Sequence, residues 1–347
     1  RACLLKILIL KPSSLGDVIH ALPVLRLLKL YFPQSEIYWW LEKNLTPLLE
    51  GDPDLAGVFS FERKRWATPR HWPELGQSIY ALRQKRFDWV IDLQGLARSG
   101  IFAWIANGNL TVGLDNLREG AREGARGFYD LMAPRAPAGT HAVERYLAIL
   151  PLLKVPVHQQ FNWLPERPEL AAQFNEKWKL NSGPWILLAP GARWNNKRWP
   201  AEYFSETVRQ LLQKTPELNF AILGNRHDSE LARVIVKNNP ARCLDLTGKT
   251  SLPEMMEWIR RSRLLLTNDT GPMHVAAALG KPVVALFGPT DPSGTGPYQQ
   301  KKNVIQLTNL PCVPCLKDYC AYAKPLECLR AISPVFVCEQ VQKKLAE

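Results

Sequence analysis

The 347-residue sequence contains no apolar run as long as the ~20 residues that a membrane-spanning helix requires. It does not open with a signal-peptide pattern but enters an apolar strand pattern at once. Low-complexity tracts and repeats of solenoid period are absent too. These absences predict a cytoplasmic globular protein, and the length favours two domains over one.

Acidic residues are scarce relative to basic ones. Lys and Arg together number 44 against 32 Asp and Glu, which gives a formal net charge of +12. Such an excess indicates an anionic partner, namely nucleic acid, an acidic membrane surface or a phosphorylated ligand; the alternative is a solvated basic surface. No DNA-reading motif and no aromatic–basic RNA-binding module is present, so we expect no nucleic-acid partner.

Short apolar strand patterns alternate with amphipathic helix patterns along the whole chain. The strand patterns include "LLKILIL", "EIYWWLE", "FDWVIDLQG", "WILLAP", "NFAILG", "RLLLTND" and "PVVALFG". Nearly continuous apolar strands between helices predict an α/β protein with parallel sheets covered on both faces. Two such series, separated by a Pro-containing stretch near residues 154–170, predict two doubly wound domains.

Ligands of doubly wound sheets bind beside the carboxyl ends of the strands, so the loops after the apolar runs are the places to search. After the first strand, "KPSSLGDVIH" places Asp17 at the start of a helix. Helix capping explains an aspartate there. The alternative is a general base, kept ionised by the positive end of the helix and directed into a cleft. The loop lacks G-x-G-x-x-G, which disfavours a dinucleotide site.

Two loops in the second half combine cations, glycine and hydroxyl groups. "PGARWNNKRWP" carries Lys197 and Arg198 directly after a strand, which suits a phosphate, although surface loops often carry incidental charges. "NDTGPMHVAAALG" places Thr270 and Gly271 at a helix N-terminus, a ready site for an anion. His274, one turn later, is either a phosphate donor or a satisfied, partly buried histidine.

The first half also contains a basic set with interleaved tryptophans, Trp66 and Trp72. Its members are Arg63, Lys64, Arg65 and Arg70, followed by Arg118, Arg122 and Arg126 at helical spacing. Charge runs are usually solvated faces. The tryptophans favour a surface that meets an anionic glycolipid at a membrane.

Five of the seven cysteines lie near the C-terminus, and four of them form C-x2-C-x4-C-x7-C. These four are Cys312, Cys315, Cys320 and Cys328. Four thiolates at this spacing suit a structural zinc or iron ion or an iron–sulfur cluster. Reduced thiols or an adventitious disulfide are the alternatives. The one D-x-D, Asp52-Pro53-Asp54, is typical of a turn.

Together, "KILILKPSSLGDVIHALPVLRLLK", "VIDLQGLARSG", "HAVERY", "PGARWNNKRWP" and "NDTGPMHVAAALGKPVVALFGPTDP" resemble glycosyltransferase family 9, the ADP-heptose:lipopolysaccharide heptosyltransferases. "HAVER" and the basic loop resemble heptosyltransferase I, and the cysteine-rich tail resembles heptosyltransferase II. The resemblance implies a GT-B fold, in which two Rossmann-like domains face each other across a central cleft. Residues 1–164 would bind the acceptor, and residues 165–330, including segment 312–328, the nucleotide sugar. Residues 331–347 would form a helix that packs back on the N-terminal domain.

The resemblance also implies the reaction, an inverting, metal-independent transfer of L-glycero-D-manno-heptose from ADP-heptose to the Kdo/inner-core region of lipopolysaccharide. Asp17 would be the general base, and Lys197 would steady the diphosphate. The implied donor-binding residues are Ser14, Gly16, Arg193, Thr250, Asp269, Thr270, Gly271 and His274. The implied acceptor-binding residues are Arg63, Lys64, Arg65, Gln94, Arg118, Arg122 and His141.

The expected partners are therefore ADP-heptose, Kdo-lipid A or inner-core lipopolysaccharide, and the cytoplasmic face of the inner membrane, where the protein would be peripheral. No cofactor is expected for catalysis. Two alternatives stay open, a family 9 transferase with another nucleotide sugar or acceptor, and a non-catalytic nucleotide- or metal-binding protein of the same fold. The presence of both Asp17 and Lys197 argues against the second, because binding alone needs no base.

Overall fold

The computed structural model describes residues 4–114, 125–180 and 182–347. The chain divides into two compact units, Arg1–Arg167 and Pro168–Glu347. This division falls within the Pro-containing stretch near residues 154–170, whereas the sequence analysis placed the domain boundary after residue 164.

The first unit is built on a six-stranded parallel sheet in the order β3-β2-β1-β4-β5-β6. Its strands are β1 Lys6–Leu10, β2 Glu36–Glu42, β3 Gly57–Phe61, β4 Trp89–Asp92, β5 Leu110–Leu114 and β6 Leu131–Ala133. Its helices are α1 Leu15–Tyr31, α2 Thr46–Leu49, α3 Arg63–Trp66, α4 Trp72–Gln84, α5 Ala97–Ala106 and α6 Ala142–Leu147.

The second unit repeats this plan in the order β12-β11-β10-β7-β8-β9. Its strands are β7 Trp185–Ala189, β8 Asn219–Ile222, β9 Cys243–Asp245, β10 Leu264–Asn268, β11 Val283–Phe287 and β12 Val304–Gln306. Its helices are α7 Pro168–Lys177, α8 Ala201–Lys214, α9 Ser229–Asn238, α10 Leu252–Arg261, α11 Gly271–Ala278, α12 Pro292–Thr295, α13 Glu327–Arg330 and α14 Pro334–Ala346.

Burial explains why the central strands are mostly apolar. Every residue of β7, β10 and β11 is buried, because helices cover both faces of a parallel sheet. The outer helices bury one side; in α8 the buried face includes Phe204, Val208 and Leu211. Helix α1 differs, because every residue from Val18 to Leu28 is buried. The same strand order in both units is that of a Rossmann fold, so the predicted pair of doubly wound domains is confirmed.

The strand order reverses between β1 and β4 in the first unit and between β7 and β10 in the second. At such a switch point the loops from two neighbouring strands leave the sheet in opposite directions and open a crevice. The loops involved follow Leu10 and Asp92 in the first unit, and Ala189 and Asn268 in the second. All the strand-end motifs that the sequence analysis selected lie on these four loops.

The last helix contributes to the core of the second unit. Val337, Cys338 and Val341 of α14 are buried in the same core as Phe204 of α8. The helix thus helps to form the core of the second unit, and its packing on the N-terminal domain stays a prediction. Its apolar stripe is buried by α8, which follows the first strand of its own unit. Among the described residues, no helix combines the length and apolar character needed to cross a bilayer.

Candidate active site

Asp17 lies in the first turn of α1, directly beyond the carboxyl end of β1. Its Oδ2 accepts hydrogen bonds from the backbone N–H and the hydroxyl of Ser14, at 2.9 and 2.8 Å. Its Oδ1 accepts one from the hydroxyl of Tyr146 at 3.2 Å and lies 3.9 Å from the Nζ of Lys11. The side chain of Asp17 remains 39% exposed. Helix capping therefore accounts for the contacts of Oδ2 only, and Oδ1 is contacted by Tyr146 and approached by Lys11.

Lys11 is the residue that ends the apolar run of β1. Its side chain is 4% exposed, and Nζ donates to Oε1 of Gln94 at 3.2 Å. The ammonium also lies 4.9 Å from the ring centroid of Tyr146. Burial lowers the pKa of Lys11, while the carboxylates of Asp17 and Asp92 act in the opposite direction. The described contacts thus place a buried cation directly behind Asp17.

Asp92 ends the neighbouring strand, β4, and is fully buried. It accepts hydrogen bonds from the Tyr129 hydroxyl at 2.6 Å and from the N–H groups of Gln94 and Gly95 at 2.8 and 3.2 Å. Burial raises the pKa of Asp92, and these hydrogen bonds oppose that rise. Asp92 therefore fixes the loop that presents Gln94 to Lys11.

A cavity of about 310 Å³ lies beside this cluster, with Pro12 and Ser13 in its wall. Its apolar wall contains Trp40, which stacks on Phe61 with centroids 4.1 Å apart and contacts Phe102 at 4.4 Å. Trp66, Arg63, Gln94 and Arg98 also line it. Aromatic walls with a few polar and cationic groups are typical of small-molecule sites, and this volume suits one sugar ring or a similar group.

The basic set of the first unit does not act as one patch. Arg63 reaches the cavity, where it donates to the Ser13 hydroxyl at 3.2 Å and pairs with Glu42 at 2.6 Å. Arg65 instead forms a two-pronged pair with Glu74, at 2.8 and 2.5 Å. Lys64 is exposed and does not line the cavity.

The remaining acceptor-site predictions fall elsewhere. Arg118 and Arg122 lie outside the described residues. His141 is the N-cap of α6, where Nδ1 accepts from the N–H of Val143 at 3.3 Å. Its ring packs edge-on against that of His20, with centroids 5.0 Å apart. His141 therefore helps to fix the helix that carries Tyr146.

In the second unit, the loops after β7 and β10 are joined by Lys197 and Asp269. Nζ of Lys197 donates to Oδ2 of Asp269 at 2.6 Å, and the hydroxyl of Thr290 donates to the same oxygen at 2.8 Å. The ammonium also lies 4.6 Å from the centroid of the Trp194 ring. Asn268 fixes the two loops further, since it accepts from the N–H of Trp199 and donates to the carbonyl of Pro190.

The other donor-site predictions vary in position. Thr270 is the N-cap of α11, Gly271 is its first residue, and His274 is buried one turn along it. Arg193 is exposed on the loop after β7, and Thr250 directly precedes Ser251, the N-cap of α10. Ser14 and Gly16 lie in the first unit, on the N-terminal turn of α1 that also carries Asp17.

The four clustered cysteines line one cavity of about 150 Å³ in the second unit, and all are free thiols. Burial, with a contribution from the three neighbouring thiols, raises the pKa of Cys328 to about 11. In the described part of the chain, no three His, Cys, Asp or Glu side chains stand close enough together to hold one ion. The thiols share a cavity but do not form a preassembled metal site.

Asp52 and Asp54 of the D-x-D turn both pair with the guanidinium of Arg26.

Four of the residues just described were not predicted from the sequence. Lys11 and Asp92 each end an apolar run with a charge, which is a signal that we read only as the end of a strand. Tyr146 is the last residue of "HAVERY", and Thr290 lies in "FGPTDP", but nothing in those motifs specifies their partners.

The model of glycosyltransferase family 9 (heptosyltransferase) matches residues 75–325 of this chain. The chain belongs to glycosyltransferase family 9. It is therefore a glycosyltransferase, as expected. Among curated relatives, it is 30% identical to lipopolysaccharide heptosyltransferase 1 of Pseudomonas aeruginosa, over 92% of this chain and 88% of that protein. It is also 30% identical to lipopolysaccharide heptosyltransferase 2 of Salmonella typhimurium, over 87% of this chain and 88% of that protein.

Solved structures of family 9 members share the fold. The E. coli ADP-heptose lipopolysaccharide heptosyltransferase II superposes with a TM-score of 0.78 at 25% identity, with 99% of each chain covered. The family 9 glycosyltransferase of Veillonella parvula superposes with a TM-score of 0.80 at 25% identity, over 98% of this chain and 97% of that one. These similarities confirm the GT-B class of the two Rossmann-like units.

Proposed function

We propose that this family 9 enzyme transfers heptose from ADP-heptose to the Kdo/inner-core region of lipopolysaccharide, with inversion at the anomeric carbon. The names of its relatives support the donor and the acceptor class. The observation that carries the proposal is the chemistry at the two switch points. One presents a carboxylate with an exposed edge, and the other presents a lysine beside a helix N-terminus.

In the first unit, Asp17 serves as general base. The acceptor hydroxyl transfers its proton to the carboxylate as its oxygen forms a bond to the anomeric carbon. The bond from that carbon to the β-phosphate oxygen breaks at the same time, and its electron pair leaves with ADP. A single displacement of this kind inverts the configuration of the anomeric carbon.

In the second unit, Lys197 stabilises the charge that grows on the departing diphosphate. A cation and the N-terminal end of α11 are the groups that such an anion requires, and they lie on adjacent loops. In the structure Lys197 is paired with Asp269. On binding, the diphosphate would replace the carboxylate of Asp269 as the anionic partner of Lys197. Because these groups supply positive charge, we propose that catalysis needs no metal ion.

The cavity beside Ser13 is proposed to bind the acceptor. Trp66 and Phe102 offer flat apolar surface to a sugar ring, and Arg63 and Arg98 offer charge to its carboxylate or phosphate groups. Arg63 also donates to the hydroxyl of Ser13, the residue directly before Ser14, which is the N-cap of α1. A ring held in this cavity would therefore lie next to the loop that carries the base.

Membrane contact is proposed for the face formed by α4 and α5. Trp72 and Tyr80 of α4 are 60% and 66% exposed, and Trp104 of α5 is 67% exposed. Arg70 and Lys64 lie in the segment just before α4. Exposed aromatic rings with neighbouring cations suit the interface of an anionic bilayer, where the lipid-anchored acceptor resides. The proposed place of action is the cytoplasmic face of the inner membrane.

Transfer from ADP-heptose to Kdo-lipid A, measured with EDTA present, tests the reaction and the base together. We expect turnover by the wild type and a loss of about 10²–10⁴-fold in Asp17→Asn, with ADP affinity retained. Glu230→Gln, which alters an exposed carboxylate on α9, is the matched control and should retain full activity. Full activity in Asp17→Asn would overturn the role of the base, and a loss of wild-type activity with EDTA that added Mg²⁺ restores would overturn the metal-free mechanism.

A thermal-shift comparison of ADP with UDP and GDP separates the alternatives. Selective stabilisation by ADP supports the heptose donor, whereas preference for UDP or GDP would assign another nucleotide sugar. If the protein binds ADP-heptose but does not transfer heptose to Kdo-lipid A, the donor assignment is retained and the acceptor becomes an already heptosylated core.

A further inference from the structure

We infer that Lys11 and Tyr146 are positioning residues that hold the carboxylate of Asp17 ionised and oriented for proton abstraction. The inference rests on the proposed role of Asp17 as the base. It concerns the carboxylate oxygen that helix capping leaves over, Oδ1, and the two side chains that approach it from outside α1.

Tyr146 supplies the directional contact. Its hydroxyl donates to Oδ1 of Asp17 at 3.2 Å, while both Ser14 donors bind Oδ2. Burial and the nearby carboxylate of Asp17 raise the pKa of Tyr146 well above its usual value, so the phenol keeps its proton and remains a donor. With both oxygens held, the carboxylate cannot rotate freely, and its exposed lone pairs keep one direction.

Lys11 supplies the charge. Its ammonium lies 3.9 Å from Oδ1 of Asp17, and the Lys11 side chain is only 4% exposed. A cation in this largely desolvated place acts on its neighbour with little screening, and it favours the ionised form of the carboxylate. Gln94 accepts from Nζ at 3.2 Å, and the Tyr146 ring lies below it at 4.9 Å. Lys11 is therefore fixed by the β4 loop and by α6, and α6 also carries the hydroxyl that contacts Asp17.

Other charged and titratable groups around this cluster need to be considered in any pH profile. Arg145 acts on Lys11 and Tyr146, and Asp92 acts on Lys11 from the end of β4. Arg63 contacts Ser13, the residue before the cap. His20, one turn along α1 from Asp17, packs against His141. These groups remain unchanged in the variants below, so differences between the profiles report on Lys11 and Tyr146.

The test is the pH dependence of kcat/KM for Tyr146→Phe and Lys11→Met. Each change removes a group that favours the ionised carboxylate, so Asp17 binds its proton more tightly and the acid limb moves to higher pH, by about one unit. We also expect kcat at the plateau to fall about tenfold, because the carboxylate loses its fixed direction, while the Kd for ADP stays unchanged. Lys11→Arg keeps the charge and should keep the acid limb close to its wild-type position.

The same unit offers a matched control set. Tyr38 is a buried tyrosine whose hydroxyl donates to Glu36 at 3.1 Å, and the ammonium of Lys85 lies 4.7 Å from its ring centroid. Tyr38→Phe and Lys85→Met therefore remove equivalent groups away from the base, and they should leave the pH profile unchanged.

An acid limb that stays at its wild-type pH in both Tyr146→Phe and Lys11→Met, with only a lower unfolding temperature, would overturn the inference and leave a structural role. Should Lys11→Met not fold, Tyr146→Phe alone decides by the same criterion. Asp17→Asn separates this outcome from failure of the proposed function. If Asp17→Asn is inactive while the acid limbs of Tyr146→Phe and Lys11→Met do not move, Asp17 remains the proposed base and only the positioning role of Lys11 and Tyr146 is overturned. If it is fully active, both fail.

Discussion

Nζ of Lys197 lies 2.6 Å from Oδ2 of Asp269, and this ion pair connects the two loops at the switch point of the second sheet. Both side chains are mostly buried, at 18% and 9% exposure. The cation is thus held on site by its own counter-ion, which the proposed diphosphate would replace without moving the lysine far.

Lys197→Met should weaken the binding of ADP by about 10- to 100-fold, because it removes a charge-assisted contact of roughly 1.5–3 kcal/mol. Isothermal titration with ADP measures the change. Lys214→Met, on α8, removes a lysine that donates to Gln342 and should leave the Kd unchanged. An unaltered Kd in Lys197→Met would remove this lysine from the diphosphate site.

Arg63 and Arg65 should differ in their effect on the acceptor, although they are two residues apart. Arg63→Met removes a cation that lines the cavity, so we expect KM for Kdo-lipid A to rise about tenfold with little change in KM for ADP-heptose. Arg65 is already paired with Glu74, so Arg65→Met should have a smaller effect. Arg233→Met, which removes an exposed arginine of α9 in the second unit, is the control. Equal effects of the two substitutions would contradict the placement of the acceptor in this cavity.

The spacing of the four clustered cysteines still predicts a structural zinc or iron ion, which would have to draw together thiols that the structure does not arrange around one point. Metal analysis of purified protein should find about one ion per chain, lost in a Cys312→Ser/Cys315→Ser variant and retained in Cys243→Ser. Because burial raises the pKa of Cys328 to about 11, an ion would be needed to keep that thiol deprotonated near neutral pH, and acidification should release the ion. Metal-free wild-type protein with four titratable thiols in this segment would establish the reduced-thiol alternative.

Membrane contact is open to a direct test by sedimentation with liposomes. At low salt, the wild type should pellet with vesicles that contain anionic lipid, and Trp72→Ala/Trp104→Ala should pellet much less. Tyr319→Ala changes an aromatic residue of similar exposure in the second unit and should behave as the wild type. Wild-type protein that stays in the supernatant would exclude the α4–α5 face as a membrane surface.

The buried ion pair between Arg26 and Asp52 should carry a measurable part of the stability of the first unit. The two side chains are 4% and 1% exposed, so Arg26→Met leaves a carboxylate buried without its cation. We expect the free energy of unfolding to fall by about 3–5 kcal/mol in a denaturant titration. Lys43→Met, which breaks the exposed pair with Glu62, should cost no more than about 1 kcal/mol. Similar losses in both variants would contradict the role of burial.

The architecture and the ends of the strands could be predicted because they depend on local pattern. Apolar runs such as "WILLA" specify strands covered on both faces, and the topology of parallel sheets then collects the loops that follow them. Asp17 and Lys197 were selected as candidates in this way, from residue type and position, and the family resemblance added Asp269. The distance of 2.6 Å between the last two follows from the adjacency of β7 and β10, which the alternating pattern does not specify by itself.

Contacts between distant segments could not be predicted in this way. Tyr146 and Asp17 are 129 positions apart, and nothing in "HAVERY" indicates which carboxylate the phenol meets. Arg65 reads as a free cation until its pairing with Glu74 is seen. The apolar stripe of α14 specifies burial but not the surface that buries it, so its place in the core of the second unit could not be predicted from the stripe.

Gly113, on β5, has no side chain because the ring of Tyr129 occupies that space, and a Cβ there would overlap the ring. Displacing Tyr129 would free Asp92, whose charge acts on Lys11, and Lys11 borders Asp17. A mutational scan would therefore report position 113 as intolerant and as damaging to turnover, although no substrate atom need ever come near it. Loss of activity at such a position would measure the rigidity of the residues that support the proposed base, and a map of substrate contacts drawn from scanning data would need to leave position 113 out.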